Sequence, residues 1–544
     1  MTENEIAKDE GALEGKQERK IQFPLILTLI GFLLGLAFEI LFYGHPIGIS
    51  FSIMALLCVA GLLIAARQEK IPFSKENLLL AIPILFFSIM SFLRLEPLTV
   101  FLNVVLTLML FALWVRTFIS GRLLDFGWLD FGLALSFVPI EAWIRPWGVL
   151  GEAQKRIFKE GQGRGVLLAI FRGLLLAIPI LAVFLGLLMA ADLIFQERVE
   201  TALEWLDIER VMEYAGRTII VILGTLFFLG ALVAAFRDPS ERKLIGQNKP
   251  ILKAFLGFIE AVVILGAVDL LFASFLAIQF TYLFGGEMNI TLTGYTYAEY
   301  ARRGFGELVM VGVLSLGLIL GLAWWTKRES ARVRGCFNGL SALLVVQVGF
   351  ILASALTRLL LYEEAYGFTR LRTYTHLFIP WMGIALVVFL VLLFMAKLRY
   401  FAPAVALCAI GFTVTLNLVN IDVFILGRNV NRYEESEDLD VRYLASLSED
   451  TVPELVDLVQ DLSREEKEDL MRELACWQVQ LETQMEEQTW PSTHLSRLSA
   501  RDAFGVLEDD FISYEIYQED WGTWMVRVGG DERLCAQQSW SWVD

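Results

Sequence analysis

Residues 254–284 read AFLGFIEAVVILGAVDLLFASFLAIQFTYLF, and only Glu260 and Asp269 carry charge in this run. A helix needs roughly 20 apolar residues, at about 1.5 Å each, to cross about 30 Å of hydrocarbon. This stretch exceeds that length and lacks the apolar/polar alternation of a barrel strand. It therefore reads as a helix in lipid, where every backbone polar group must be satisfied within the segment.

The same reading extends outward. Comparable runs lie near 22–43, 48–66, 78–93, 97–115, 166–194, 217–236, 305–325, 337–361, 378–396 and 401–426, which makes eleven spans. Composition agrees: the 544 residues are 56% hydrophobic and 19% charged, with a mean hydropathy of +0.58. A soluble domain is about 45–50% apolar and about 25% charged. Disorder, collagen-like repeats, a disulfide-rich secreted fold and a wholly soluble enzyme are excluded. The expected fold is an all-α polytopic membrane helix bundle with a small C-terminal extramembrane domain, helical or α+β.

Charge divides the chain. Residues 428–544 hold 28 acidic and 10 basic residues, a net of −18. The remainder of the net −16 is therefore +2. An acidic tail repels phosphate, so nucleic acid is not an expected partner. The expected surroundings are the lipid bilayer, with a protein partner for the acidic domain as a further option.

Basic residues near span ends favour the cytoplasm. Lys16, Arg19 and Lys20 precede the first span, and Arg67, Lys70, Arg116, Arg242, Lys243, Arg332, Arg334 and Lys397 recur on every second connection. Segment 195–216 is acidic instead. Residues 1–21 are thus expected to form a cytoplasmic tail, residues 22–427 the membrane region, and 428–544 a domain on the outside. Segment 126–144, which contains Asp130, Pro139, Glu141, Trp128 and Trp143, is nearly long enough to span. It is expected to be interfacial or re-entrant, because tryptophan favours headgroup depth.

In the tail, Pro453 sits in the first turn of a helix carrying Val452, Leu455, Val456, Val459 and Leu462. Ser463 and Glu466 give a capping-box spacing for a second helix. A third covers 493–507, and 511–528 alternate like two short strands. With the tail outside, Cys476 and Cys535 can form a disulfide.

Ionisable groups at membrane depth are expensive and mark candidate sites. Asp269, with Glu260 nine residues earlier, is a candidate for holding a proton or an ion. A second candidate lies in outward segments rich in tyrosine and arginine: Tyr297, Tyr300, Arg302 and Arg303, then Tyr362, Glu363, Arg370 and Arg372. Arginine holds carboxylate or phosphate bidentately. Asn420 and Asp422, near the end of the last span, can complete that group. The same residues also fit an intramolecular lattice of ion pairs.

The stretches YAEYARRGFGEL (297–308), YEEAYGFTRLRTY (362–374) and NLVNIDVFILGRNVNRYEESEDLDVRYLASLSEDTVPELV (417–456) resemble the bacterial polytopic membrane proteins of the domain-of-unknown-function 4173 family. That resemblance implies an integral membrane protein with many spans and supplies no catalytic residue. Phosphate-loop, zinc-protease, nucleophile-elbow and kinase motifs are absent from the sequence. No zinc-ligand spacing is present and no cofactor is expected. The leading expectation is secondary transport or solute binding and sensing, not enzymatic. The alternatives are a membrane enzyme acting on a lipid-linked or cell-wall substrate through Glu299, Glu307, Glu363 or Glu364, and a scaffold or regulatory subunit.

Overall fold

The computed structural model describes residues 21–121, 123–157, 173–205 in part, 208–236, 254–283, 305–436, 439–519 and 523–535. The helices that precede the tail begin with α1 (Pro24–Phe42), α2 (Ile49–Gln68), α3 (Ala81–Leu93, entered by a turn at Glu76–Leu80) and α4 (Pro97–Thr117). Next come α5 (Trp128–Ile144), α6 (Pro146–Ile157), α7 (Leu193–Trp205), α8 (Ile208–Ala235) and α9 (Phe258–Leu283). The series ends with α10 (Phe305–Trp325), α11 (Ala331–Tyr366), α12 (Arg370–Phe394) and α13 (Phe401–Val419). Among the described residues ten helices are long and apolar enough to cross a membrane. The chain is a multi-pass membrane protein.

Helix starts follow local chemistry. Pro24 opens α1, and the Glu69 carboxylate accepts from the N–H groups of Gln22 and Phe23, both at 2.7 Å. An anion there also suits the positive end of the helix dipole. Pro97 opens α4, whose cap Glu96 accepts from Leu98 N (2.9 Å) and Thr99 N (2.8 Å).

Small residues set how closely helices pack. α1 and α8 run antiparallel, with Gly31 against Leu229 and Gly35 against Thr225. A Cβ on Gly35 would lie 2.5 Å from the Thr225 backbone nitrogen, so only glycine permits this approach. Arg217 closes the far end of the pair on Glu39 at 2.5 Å.

These contacts also order the ends. Ala235 of α8 lies by the Pro24 end of α1 and Ile208 lies at the opposite end. α5 meets the last turns of α4 and α8 through Arg116–Glu141 (3.4 Å), Ala142 against Gly230, and Trp143 on Phe227. Ala142 and Ile208 therefore stand at opposite ends of α8. Of the expected span 166–194, residues 173, 177, 180, 181 and 183–194 are described and are helical except Asp192; the rest lies outside the described residues.

Four spans differ clearly from the expected bounds. α8 starts at Ile208 rather than 217 and α12 at Arg370 rather than 378. α11 runs for 36 residues rather than stopping at 361. The last span ends at Val419 rather than 426, because Asn420 adopts φ +52°, a left-handed backbone that ends the helix.

α14 (Ile421–Ser436) then leads into α15 (Val441–Ala445), α16 (Val452–Leu458), α17 (Arg464–Glu487), α18 (Leu495–Phe504) and α19 (Glu508–Phe511). An antiparallel meander of β1 (Glu515–Gln518), β2 (Trp524–Val528) and β3 (Asp531–Leu534) follows. Gly529 and Gly530, at φ +58° and +90°, make the two-residue hairpin that joins β2 to the third strand, one more than expected. Ser463 and Glu466 bond side chain to side chain at 2.5 Å, and Tyr433 joins them, so they form no capping box.

The tail core gathers Leu444, Val452, Leu455, Leu474, Trp477 and Phe504 and continues into Leu416, Ile421 and Ile425 at the end of the bundle. The Cys476 and Cys535 sulfurs, 2.04 Å apart, join α17 to the residue after β3. The tail docks on the α1–α2 and α3–α4 connections. Ile49 N donates to Thr493 O (3.0 Å), Ser492 Oγ to Pro46 O (3.2 Å) and Ser496 Oγ to Leu93 O (2.9 Å). It therefore covers the end of the bundle opposite Pro24.

Candidate functional site

Two places gather the expected residues. The first is the junction between bundle and tail. Phe424 and Ile425 anchor the first turns of α14, which places Asp422 beside the first turn of α12. Arg370 grips Asp422 with both arms of its fork, Nε to Oδ1 at 2.8 Å and Nη2 to Oδ2 at 2.6 Å. Asp422 is fully buried and also accepts from Ser448 N at 2.8 Å. Arg370 N donates to the Tyr443 hydroxyl at 3.0 Å. A bidentate pair supported by backbone donors is strong and directional.

Around this pair lies a second tier that residue spacing did not reveal. The Tyr374 hydroxyl donates to Glu96, the cap of α4. Asn103 and Asn417 exchange amide hydrogen bonds at 2.9 and 2.7 Å, and Arg94 donates to Asn417 O at 3.3 and 3.2 Å. Asp450 accepts from Leu95 N at 3.3 Å and from the Ser496 hydroxyl. Burial pushes the Asp450 carboxyl up to about 6, against the opposing pull of those two donors. Burial, helped by the Arg497 charge, lowers His494 to about 4, and its Nε2 faces Ile47 O at 2.7 Å.

The remaining outward residues are held close by. Arg372 lies 4.0 Å over the Tyr362 ring and donates to Gly367 O at 2.5 Å and Tyr366 O at 3.2 Å. Glu363, almost fully buried, meets His376 Nδ1 at 3.0 Å. Asn429 bonds both backbone groups of Phe368, at 2.7 and 2.9 Å. Asn420, expected within the last span, is the residue at which that helix breaks. Tyr297, Tyr300, Arg302 and Arg303 lie outside the described residues. Chemically, this cluster spends its charges on one another. It ties the helix ends to the tail.

The second place is inside the bilayer. Asp269 lies about 16 Å along the roughly 39 Å of α9 and is 5% exposed. Neither carboxylate oxygen has a partner among the described residues. Gln347 of α11 donates its amide to the Asp269 backbone oxygen at 3.0 Å. Glu260 is not its companion at depth. It is exposed in the first turn of α9 and caps that helix through the Gly257 N–H. Among the described residues no group of three or more metal-ligating side chains occurs.

A family model described as "Domain of unknown function (DUF4153)" matches residues 81–458, so the chain belongs to that family of uncharacterised proteins. The match covers most of the membrane region and the start of the tail, and it is to this family rather than to the 4173 family that the sequence resembles. No curated protein and no solved structure matches the chain.

Proposed function

We propose that this protein is a cell-envelope membrane protein that moves or senses a solute, with Asp269 as the group that carries a coupled ion. The observation that supports this reading most is the Asp269 carboxylate, buried at mid-depth with both oxygens unpartnered among the described residues. A bare charge there costs several kcal/mol or more, so it needs a proton or a cation to neutralise it. The groups named for a membrane enzyme offer less, since Glu363 is engaged with His376 and Arg370 with Asp422.

In this reading the amino terminus is cytoplasmic and the tail faces outside, as the basic connections favour. α5 rests at the interface, since its contacts fall on the ends of neighbouring spans. The junction network holds the outer domain on the bundle.

The test is uptake of a panel of labelled solutes into membrane vesicles from cells with and without the protein. At least one solute should enter only with the protein present, and Asp269→Asn should abolish that uptake at unchanged protein level. If no solute in the panel shows such dependence, transport is rejected; an intact Asp269→Asn response removes the carboxylate from the mechanism.

A further inference from the structure

We propose that the ion on Asp269 is a proton, and that it reaches Asp269 from the tail end of the bundle along a polar face shared by α9 and α11. This rests on the reading of Asp269 above and names both its ligand and its route.

The route is built from buried polar side chains in order. On α11, Gln347, Ser354 and Arg358 recur at intervals of seven and four residues, which places them on one helix face. Gln347 is the residue that touches Asp269. Among the described residues Gln347 Oε1, Ser354 Oγ and both amide atoms of Gln279 on α9 are buried without a partner, as the Asp269 oxygens are. Side chains of this kind are normally satisfied, because each unpaired polar atom in an apolar medium is costly. Four of them, each 5–7% exposed and divided between two packed helices, define a hydrophilic seam.

Their order gives the direction. Ser354 lies about 10 Å beyond Gln347 and Gln279 about 15 Å beyond Asp269, both toward the tail end. That end is where α11 stops beside Asn429. On the other side of Asp269 the α9 sequence AVVILGAV (261–268) has no polar side chain. Ala261 and Leu265 are fully buried there against a core that includes Phe337 and Leu344. Ser341, whose hydroxyl is likewise buried without a partner among the described residues on that side of α11, is turned about 120° away from Gln347 and so lies off the seam. The seam is thus open in chemistry toward the tail and closed by hydrocarbon toward Pro24.

The donor set selects the ion. A hard metal cation takes about six oxygen ligands. Asp269 is the only carboxylate at this depth on α9, and its touching neighbour adds one amide oxygen. A proton needs one oxygen: it leaves tail-side water, forms one O–H bond on the carboxylate, and returns the same way or passes to a solute. The other charged groups on these packed helices are Arg358, Glu363 and Glu364 toward the tail end of α11, Arg332 and Arg334 in its first turn, Glu260 in the first turn of α9 and Glu307 in the first turn of α10.

Two measurements on the full-length protein in native membrane vesicles test this. The first labels Ser354→Cys and Leu265→Cys with a membrane-impermeant methanethiosulfonate applied to one face, and reads each site by peptide mass spectrometry. Cys336, exposed near the Pro24 end of α11, reports when reagent reaches the opposite face. Ser354→Cys should be labelled when Cys336 is spared, and Leu265→Cys from neither face. Labelling of Ser354→Cys only together with Cys336, or from neither face, overturns the route. The second treats wild-type protein with dicyclohexylcarbodiimide, which adds to protonated carboxyls in membranes. An adduct on Asp269 that is lost as pH rises and unaffected by sodium or calcium is expected. Protection by either metal overturns the proton. Absence of the adduct at every pH rejects the ion-carrying role of Asp269 itself, whatever the labelling of Ser354→Cys shows.

Discussion

Replacing Arg370 by methionine tests how the tail is held. The substitution keeps the length of the side chain and removes the fork that binds Asp422 at 2.6 and 2.8 Å. Asp422 stays fully buried, with the Ser448 N–H as its remaining described donor. Removing one partner of a buried ion pair costs about 3–5 kcal/mol, because the survivor is neither solvated nor paired. Asp422→Asn leaves Arg370, whose side chain is 17% exposed, some access to water and keeps an acceptor for Ser448. Its cost is smaller, about 1.5–3 kcal/mol. Combining Arg370→Met with Asp422→Leu removes both charges, so the pair should recover about 2 kcal/mol relative to the sum of the single changes. Hydrogen exchange at the Ser448 and Leu95 amides reads the opening directly. At about 1.4 kcal/mol per decade, Arg370→Met should speed exchange there about 10²- to 10⁴-fold. Unchanged exchange in Arg370→Met, or strict additivity in the double variant, would refute the idea that this pair clamps the tail.

Other consequences follow from single contacts. Replacing Cys476 and Cys535 by serine should destabilise the sheet against α17 by about 4 kcal/mol, the loop-entropy value for a 59-residue separation, and expose residues 515–535 to protease. Non-reducing mass spectrometry of native membranes should find free thiols at Cys58, Cys336 and Cys408 alone; free Cys476 and Cys535 would reject the bridge. Asp450, pushed from 3.8 to about 6, binds its proton more tightly when docked. Its stabilising contribution is therefore full below about pH 3.8 and is lost as pH rises through 6. Protection of the Leu95 amide should strengthen on acidification from pH 7 to pH 4 by up to about 3 kcal/mol, and Asp450→Asn should flatten that dependence. Gly35→Ala places a Cβ 2.5 Å from the Thr225 backbone and should lower the melting temperature in detergent, whereas Gly132→Ala, which meets nothing within 4 Å, should not.

The membrane helices were legible because each is a local property. Run length and the scarcity of charge are read within some 20 residues, and they located each described span while missing an end of α8, α11, α12 and α13 by six to nine positions, where charged or polar residues continue the helix or a backbone break stops it. The tail helices were legible for the same reason, through Pro453 and the apolar stripe of α16 and α17. The junction was legible only in part. Arg370 and Asp422 stood out by type, but their pairing spans 52 residues. Glu96 meets Tyr374 across 278 residues and Asn103 meets Asn417 across 314. No periodicity links such positions, since tertiary packing alone brings them together. Glu260 was misplaced because hydropathy does not register a helix start. Gly257 puts that start at Phe258, and the carboxylate then belongs to the first turn, where the helix dipole favours it. Asn420 was read as part of a span because asparagine within an apolar run looks like a buried polar residue. Its tolerance of the left-handed region was the signal that a break occurs there.

The tail and the membrane site are linked by topology rather than by contact. α1 starts at one end of the bundle, and the α1–α2 and α3–α4 connections meet the tail at the other through Thr493, Ser492, Ser496 and Asp450. α11 and α12 turn at that same end, where Phe368 is held by Asn429. The seam from Asp269 therefore points to the face that the acidic tail covers. An aqueous approach to Ser354 has to pass beside a domain whose net charge of −18 draws protons and other cations toward its surface. Such a field is screened beyond about 10 Å at 0.1 M salt. Hence any contribution of the tail to proton supply must weaken as ionic strength rises, whereas a tail that serves only as a structural cap gives a route insensitive to salt.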